Sequence, residues 1–294
     1  MTVTELEIQS QPALWRRVSV GPVPAHLIAR GQRMLVIGCG TSAFVARAYA
    51  SLRERAGFGE TDWVYASELN PGRHYDTVLA LTRSGTTTEI VDAVQTLDAT
   101  TKVLLTAVPG GPVSGLVDHE VVLDFADEES VVQTRFPTTA LALLRRGLGE
   151  DLANMVAEGE VAVNDPLPVD PTQFGHFVYL GSGWTIGLAY EAALKMREAA
   201  QSWSESYPAM DYRHGPIAVA APGSLVWMFG TPPEGLIGQV SDTGATVVTS
   251  DLDPLAQLVQ AQRCAVAVAA ARGLDPDQPR GLTRSVVLAS GGGR

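Results

Sequence analysis

Two short, hydroxyl-rich turns each follow an apolar run suited to a buried strand. Cys39, Gly40, Thr41 and Ser42 follow residues 34–37, and Thr82, Arg83, Ser84, Gly85, Thr86, Thr87 and Thr88 follow residues 78–81. A strand apolar on both faces must be covered by helices on both sides, so this pattern commits the chain to parallel α/β units. Each turn then opens a helix, where free backbone N–H groups and the positive end of the helix dipole attract an anion. Small hydroxyl side chains add donors without blocking a phosphate. Two such turns in neighbouring units of one domain read as a phosphate-binding cup.

The alternation runs the length of the chain. Strands are expected at 34–38, 63–66, 77–81, 102–107 and 120–124, with helices at 42–55 and 87–97. Residues 165–171, with three prolines and two aspartates, read as a linker, and residues 151–165 as either a helix or an exposed arm. After the linker the pattern restarts: 176–180, the turn Gly181, Ser182, Gly183 and a helix over 185–200 mirror the first strand, turn and helix. Residues 225–229 and 245–249 resemble the later strands of the first half. The expected organisation is a helical lead-in over 1–30, a first α/β domain over 31–164 and a second over 172–294. Where the first half has its second hydroxyl turn, the second has Phe229, Gly230, Thr231, Pro232 and Pro233, an aromatic ring and two residues without an N–H. One phosphate site per chain is therefore expected, at the carboxyl ends of the first domain's strands.

Composition limits what can bind elsewhere. The chain has 294 residues, 46% hydrophobic and 18% charged, with a net charge of −11. That acidity argues against nucleic-acid and anionic-membrane partners, so an anion site must be locally positive. No apolar run is long enough to span a membrane and residues 1–10 are too polar for a signal peptide, so a cytoplasmic setting is expected. Cys39 and Cys264 form no CxxC pair or metal-ligand spacing, and no metal or cofactor is expected. Two lysines, Lys102 and Lys195, stand beside nineteen arginines.

Two patterns admit plainer explanations. Gly38 to Ala43 also fits a GxGxxA dinucleotide fingerprint, with Glu68 near the place of a ribose-binding acid, and glycine-rich turns also serve as packing devices. The second hydroxyl turn favours a monophosphate, because a pyrophosphate site does not need it. Glu191, Lys195 and Glu198 share one helix face, and Glu205 extends the stripe if the helix continues. Such spacing serves solvated salt-bridge ladders too. Here Ala192, Ala193, Leu194 and Met196 make the helix apolar on much of its circumference, which buries the charges and demands partners. A histidine turn, His214, Gly215 and Pro216, follows.

Taken together these motifs resemble the sugar isomerase (SIS) domain proteins. The nearest pattern is the tandem-domain isomerase half of glucosamine-6-phosphate synthase and stand-alone amino-sugar phosphate deaminases and deglycases. The resemblance covers the lead-in at 7–12, both phosphate turns, the 191–198 helix with its histidine turn, and the terminal segment 275–286. It implies two SIS domains, each a parallel-sheet, flavodoxin-like αβα sandwich. It also implies Thr41, Ser42, Thr82, Arg83, Ser84 and Thr87 at the phosphate, and Val131, Val132 and Gln133 at the sugar. Glu198 is implied as the base that moves a proton between C1 and C2, with His214 opening the ring and entering a partner subunit's site, hence a homodimer.

Physical chemistry supports these roles. A phosphate held by charge-assisted bonds anchors the carbon chain while a carboxylate shuttles the proton, and a nearby cation, Lys195 or Arg284, stabilises the developing oxyanion. Arg284 stands where the synthase pattern has a Schiff-base lysine, so imine formation there is not expected. Arg83 replaces an amide and Gln133 a smaller hydroxyl residue. Residues 1–30 carry no glutaminase pattern. The resulting expectation is an isomerase or deaminase acting on a hexosamine 6-phosphate or fructosamine 6-phosphate. The alternatives are a deglycase of fructosyl-amino acid 6-phosphates and a non-catalytic sugar-phosphate sensor.

Overall fold

In the computed structural model, which describes residues 1–70 and 72–288, the chain forms two parallel sheets sharing one continuous core. The first sheet contains β1 (Met34–Gly38), β2 (Thr61–Tyr65), β3 (Tyr75–Leu81), β4 (Ala99–Thr106) and β5 (His119–Val122), in the order β2-β1-β3-β4-β5. This is the flavodoxin-like doubly wound order. The second contains β6 (His176–Gly181), β7 (Ser204–Pro208), β8 (Ser224–Met228) and β9 (Thr246–Val248), in the order β7-β6-β8-β9. All pairings are parallel. Every residue of β1 and of β8 is buried, as expected for strands covered on both faces.

The helices are α1 (Val3–Val18), α2 (Ala25–Ile28), α3 (Thr41–Arg55), α4 (Thr88–Thr96), α5 (Arg135–Gly147), α6 (Ala153–Asn164), α7 (Thr185–Ala200), α8 (Leu236–Ser241) and α9 (Pro254–Ala271). Residues 153–164 are thus helical rather than an arm. The lead-in α1 is no loose leader: Ile8, Trp15 and Val18 are core residues, and the helix packs on α5, α6 and α9. None of the described helices is long and apolar enough to cross a membrane.

The two halves meet along α3 and α7, the helices that follow the first strand of each sheet. Val45, Ala46, Ala48, Tyr49 and Leu52 of α3 share one apolar cluster with Leu188, Ala189, Ala192, Ala193 and Met196 of α7. Burying each of the larger side chains contributes about 1.5–3 kcal/mol. Gly187 sets the distance. A Cβ there would overlap the Phe44 carbonyl oxygen and crowd Ala48, so only glycine lets the helices approach this closely.

One expectation fails here. Glu205 does not extend the α7 stripe, because Gln201 adopts a left-handed conformation that ends the helix, and Glu205 lies on β7, paired with Val178 of β6.

Candidate functional site

The close α3–α7 packing places a buried cation between the two halves. Lys195 of α7 is 1% exposed. Its Nζ donates to Thr41 Oγ1 at the start of α3 (3.0 Å) and to Glu198 Oε2 (2.5 Å), and lies 3.3 Å from Glu191 Oε1. Burial alone would lower the Lys195 ammonium, but the Glu191 and Glu198 carboxylates outweigh it and raise it. Glu191 is pushed up to about 7, chiefly by burial, with Lys195 pulling the other way. A single ammonium thus joins two carboxyl groups of the second half to the first turn of the first half.

Next to Thr41, Ser42 turns into a small cavity at the carboxyl ends of β1 and β3. Thr82, Arg83, Ser84 and Thr87 of the second hydroxyl turn line it, as do Gln133, Arg284 and Cys39. The structure therefore gathers seven of the expected substrate-facing residues around one space. Burial pushes the Cys39 thiol up to about 11, so it is a neutral lining group. Gln133 Oε1 is buried without a protein partner.

The cavity is small and partly enclosed, with a volume of about 30 Å³. The terminal segment borders it and packs on its lining turn. Ser285 Oγ contacts Ser84 Oγ (3.1 Å) and Thr86 Oγ1 (2.8 Å). The Thr88 N–H, in the first turn of α4, donates to the Val286 carbonyl (3.2 Å), and the Leu288 N–H donates to Thr88 Oγ1 (2.9 Å). The chain's own terminal segment thus engages the hydroxyls of the second turn and the first N–H of α4.

Several expected residues have other contacts, and some of them do not line the cavity. The Thr41 hydroxyl is engaged by Lys195 and sits outside the cavity lining. Arg83 is 1% exposed, and its guanidinium donates to the carbonyls of Ser130 (3.0 Å) and Arg284. Burial holds its pKa down. Arg284 is paired with Asp127 (2.6 Å) and donates from Nε to the Glu128 carbonyl (3.1 Å). Val131 is partly buried and Val132 buried, and neither lines the cavity. His214 ends the exposed 3₁₀ turn Asp211–His214, and no polar contact of Lys195, Glu191 or Glu198 reaches it among the described residues.

Sequence reasoning missed Glu7 and Glu128, two buried carboxyls beside the segment 129–134. The acidic run 127–129 ahead of Thr134 and Arg135 was a partial signal, since Glu128 Oε1 accepts from Thr134 Oγ1 (3.1 Å) and from the backbone N–H groups of Thr134 and Arg135 (2.7 Å for the latter) at the start of α5.

No family model matches the chain. Among curated proteins it is similar to glutamine–fructose-6-phosphate aminotransferases (isomerizing). The relative from Nostoc sp. (strain PCC 9229) is 26% identical over 93% of this chain and 54% of its own length. That from Pyrococcus horikoshii is 26% identical over 96% and 57%. The chain spans about half the length of these relatives, covering their isomerase half. Among solved structures, glucosamine-6-phosphate deaminase from Thermotoga maritima superposes with a TM-score of 0.85 at 24% identity, covering 98% of this chain and 100% of that one. The C-terminal domain of glucosamine-fructose-6-phosphate aminotransferase from Francisella tularensis gives 0.82 at 19% identity, covering 95% and 98%. Tagatose-6-phosphate ketose/aldose isomerase from Escherichia coli gives 0.76 at 20% identity, covering 94% and 95%. The resemblance suggested by the motifs is thus present in sequence, and the fold is that of these phosphosugar proteins.

Proposed function

We propose that this chain is a two-domain SIS enzyme that transfers a proton between C1 and C2 of an amino-sugar 6-phosphate and releases its nitrogen as ammonia. The observation that carries this reading is the buried Lys195 ammonium bound at once to Glu198, Glu191 and Thr41, one residue from the Ser42 that lines the hydroxyl-rich cavity. It links a carboxylate of the second half, through Thr41, to the turn that carries Ser42 of the proposed anion cup.

In this reading Ser42, Thr82, Ser84 and Thr87 take the phosphate once residues 285–288 shift, and the start of α4 adds backbone donors. Each charge-assisted bond contributes about 1.5–3 kcal/mol, binding energy that holds the reacting carbons in place. Glu198 then removes the C2 proton of the open-chain aldose as electrons move into the C1 carbonyl, whose oxygen gains a proton. The resulting enolamine takes a proton back at C1. This leaves an imine at C2, which water hydrolyses to the ketone and ammonia. Lys195 fixes the Glu198 carboxylate and supplies positive charge on that side of the cleft. Arg284, held by Asp127, acts as an ionic wall of the closed state and forms no imine.

The exposed His214 turn belongs to the same reading. Two copies would pair so that this turn of one completes the ring-opening machinery of the other. The unpaired Gln133 amide oxygen supports an N–H or O–H donor on the substrate near the cup, which an amine provides. A fructosyl-amino acid 6-phosphate presents such a donor as well and uses the same proton transfer. The test is a panel of hexose 6-phosphates, hexosamine 6-phosphates and fructosyl-amino acid 6-phosphates assayed for release of ammonia or amino acid. Release of ammonia from a hexosamine 6-phosphate supports the proposal. Release of amino acid alone replaces it with a deglycase, and tight binding without turnover replaces it with a sensor.

A further inference from the structure

Glu7 of α1 plays no part in the chemistry above, yet it is 2% exposed and sits against the segment that carries Val131 and Gln133. Its Oε1 accepts from the backbone N–H of Glu129 (2.6 Å) and of Ser130 (3.4 Å), and its Oε2 has no partner. The same helix grips the same segment a second time, through Thr4 Oγ1 and Ser130 Oγ (2.8 Å). It also grips the terminal segment: the backbone N–H groups of Val3 and Thr4 donate to the Asp277 carboxylate (2.8 Å each).

These contacts close a ring. From α1 it passes to Ser130, whose carbonyl accepts from Arg83, and Arg83 donates with its other arm to the Arg284 carbonyl. Arg284 lies in the terminal segment that Asp277 ties back to α1. Two walls of the cleft, the 128–134 segment and the terminal segment, therefore hang from one helix, and the core packing of Ile8, Trp15 and Val18 gives that helix a fixed seat.

We infer that Glu7 is a positioning residue for the substrate cleft: by holding the backbone of Glu129 and Ser130 it sets Gln133 and the Arg284 segment in register over the anion cup. This rests on the proposed sugar-phosphate function for what the cleft binds. Phosphate alone needs only the cup, whereas a sugar phosphate must also meet the walls, so disturbing Glu7 should separate the two affinities.

Glu7 also gives a distinctive pH signature. Burial, with Glu128 adding, pushes it up to about 7, while the Glu129 and Ser130 N–H groups and Arg135 of α5 (3.8 Å) pull it down. Arg83 faces it from the cup loop, and Glu128 is itself raised by burial. Ionised Glu7 is a stronger acceptor for its two N–H groups than neutral Glu7, so the grip tightens as pH rises through about 7.

The experiment compares wild type, Glu7→Ala and Glu7→Gln by hydrogen exchange and by calorimetric binding of fructose 6-phosphate and inorganic phosphate at pH 6 and pH 8. In Glu7→Ala, exchange at residues 129–134 and 284–286 should rise at least about tenfold, and fructose 6-phosphate affinity should fall about tenfold or more, with phosphate affinity changed less than about threefold. Glu7→Gln keeps an acceptor and should bind like wild type at pH 6 but more weakly at pH 8. Unchanged exchange in Glu7→Ala overturns the inference. So does an equal loss of both ligands with a global rise in exchange, which marks a purely structural residue. Failure of wild type to bind fructose 6-phosphate overturns the proposed function instead, and the exchange arm still decides whether Glu7 holds the two walls.

Discussion

At the end of β1, Gly38 allows α3 to start directly above the strand, and Gly181 does the same for α7 at the end of β6; a Cβ at either position would run into the backbone of the first helical turn. From matching scaffolds the halves diverge. The first places hydroxyls around a partly enclosed cavity of about 30 Å³ bordered by the terminal segment. The corresponding place in the second is an open groove of about 930 Å³, lined by Phe229, Pro232 and acidic residues such as Asp151, Glu158 and Asp251. Arg55 and Arg145 also line it, so the second crevice is a wide, mixed-charge groove rather than a compact ring of hydroxyls. What the second half contributes is a helix face: Glu191, Lys195 and Glu198, delivered across the α3–α7 interface to the first half's cup. The comparison teaches that matching strand-to-helix scaffolds differ through the chemistry of their loops, and that in the proposed function the second half's helix, not its crevice, supplies the reacting groups.

The division of labour breaks most visibly if the second half's carboxylate is disabled while the first half's cup is left intact. Glu198→Gln should lower kcat for ammonia release about 10²–10⁴-fold with KM little changed, in steady-state assays. Separating the halves is the next largest effect. Gly187→Val would force α3 and α7 apart, costing about 1–3 kcal/mol in denaturant unfolding and lowering kcat more than phosphate affinity, because Lys195 would lose its place against Thr41.

Matched alanine substitutions in the two crevices sharpen the contrast. Ser84→Ala should raise KM about tenfold by removing one donor to the phosphate, and Thr231→Ala in the second groove should leave it unchanged. The smallest effect is a pH dependence of stability. Glu191 titrates near 4.5 when unfolded and about 7 when folded, so the native state holds the proton across that window and stability falls as pH rises through it. In Glu191→Gln that fall should be reduced, the difference from wild type growing between pH 5 and pH 7 and then levelling in urea titrations.

The apolar runs and their turns made both sheets and the meeting of the two hydroxyl turns around one cavity legible from sequence, because burial on two faces and hydroxyl-rich helix starts are local patterns. The 191–198 stripe was equally local. What lay beyond reach were long-range choices. The end of α7 depends on Gln201 turning left-handed and on β7 pairing with β6, so Glu205 was read as helical. Arg83 lines the cavity as expected from its turn, but its hydrogen bonds to the carbonyls of Ser130 and Arg284 come from segments that only the folded chain brings near. Thr41 meets Lys195 rather than the cavity, a contact across more than half the chain's length. Residues 1–30 read as a lead-in because the partners of α1 are spread over α5, α6, α9 and the terminal segment.

The most direct test of the account follows the C2 proton itself. Wild type and Glu198→Gln are each incubated with glucosamine 6-phosphate in deuterated water and the sugar is monitored by proton NMR. The account predicts deuterium entering at C1 or C2 with wild type and a loss of at least about 100-fold in that rate with Glu198→Gln, while phosphate binding persists. Equal exchange by the two proteins would show that the carboxylate on α7 is not the base, and would contradict the division of roles between the halves.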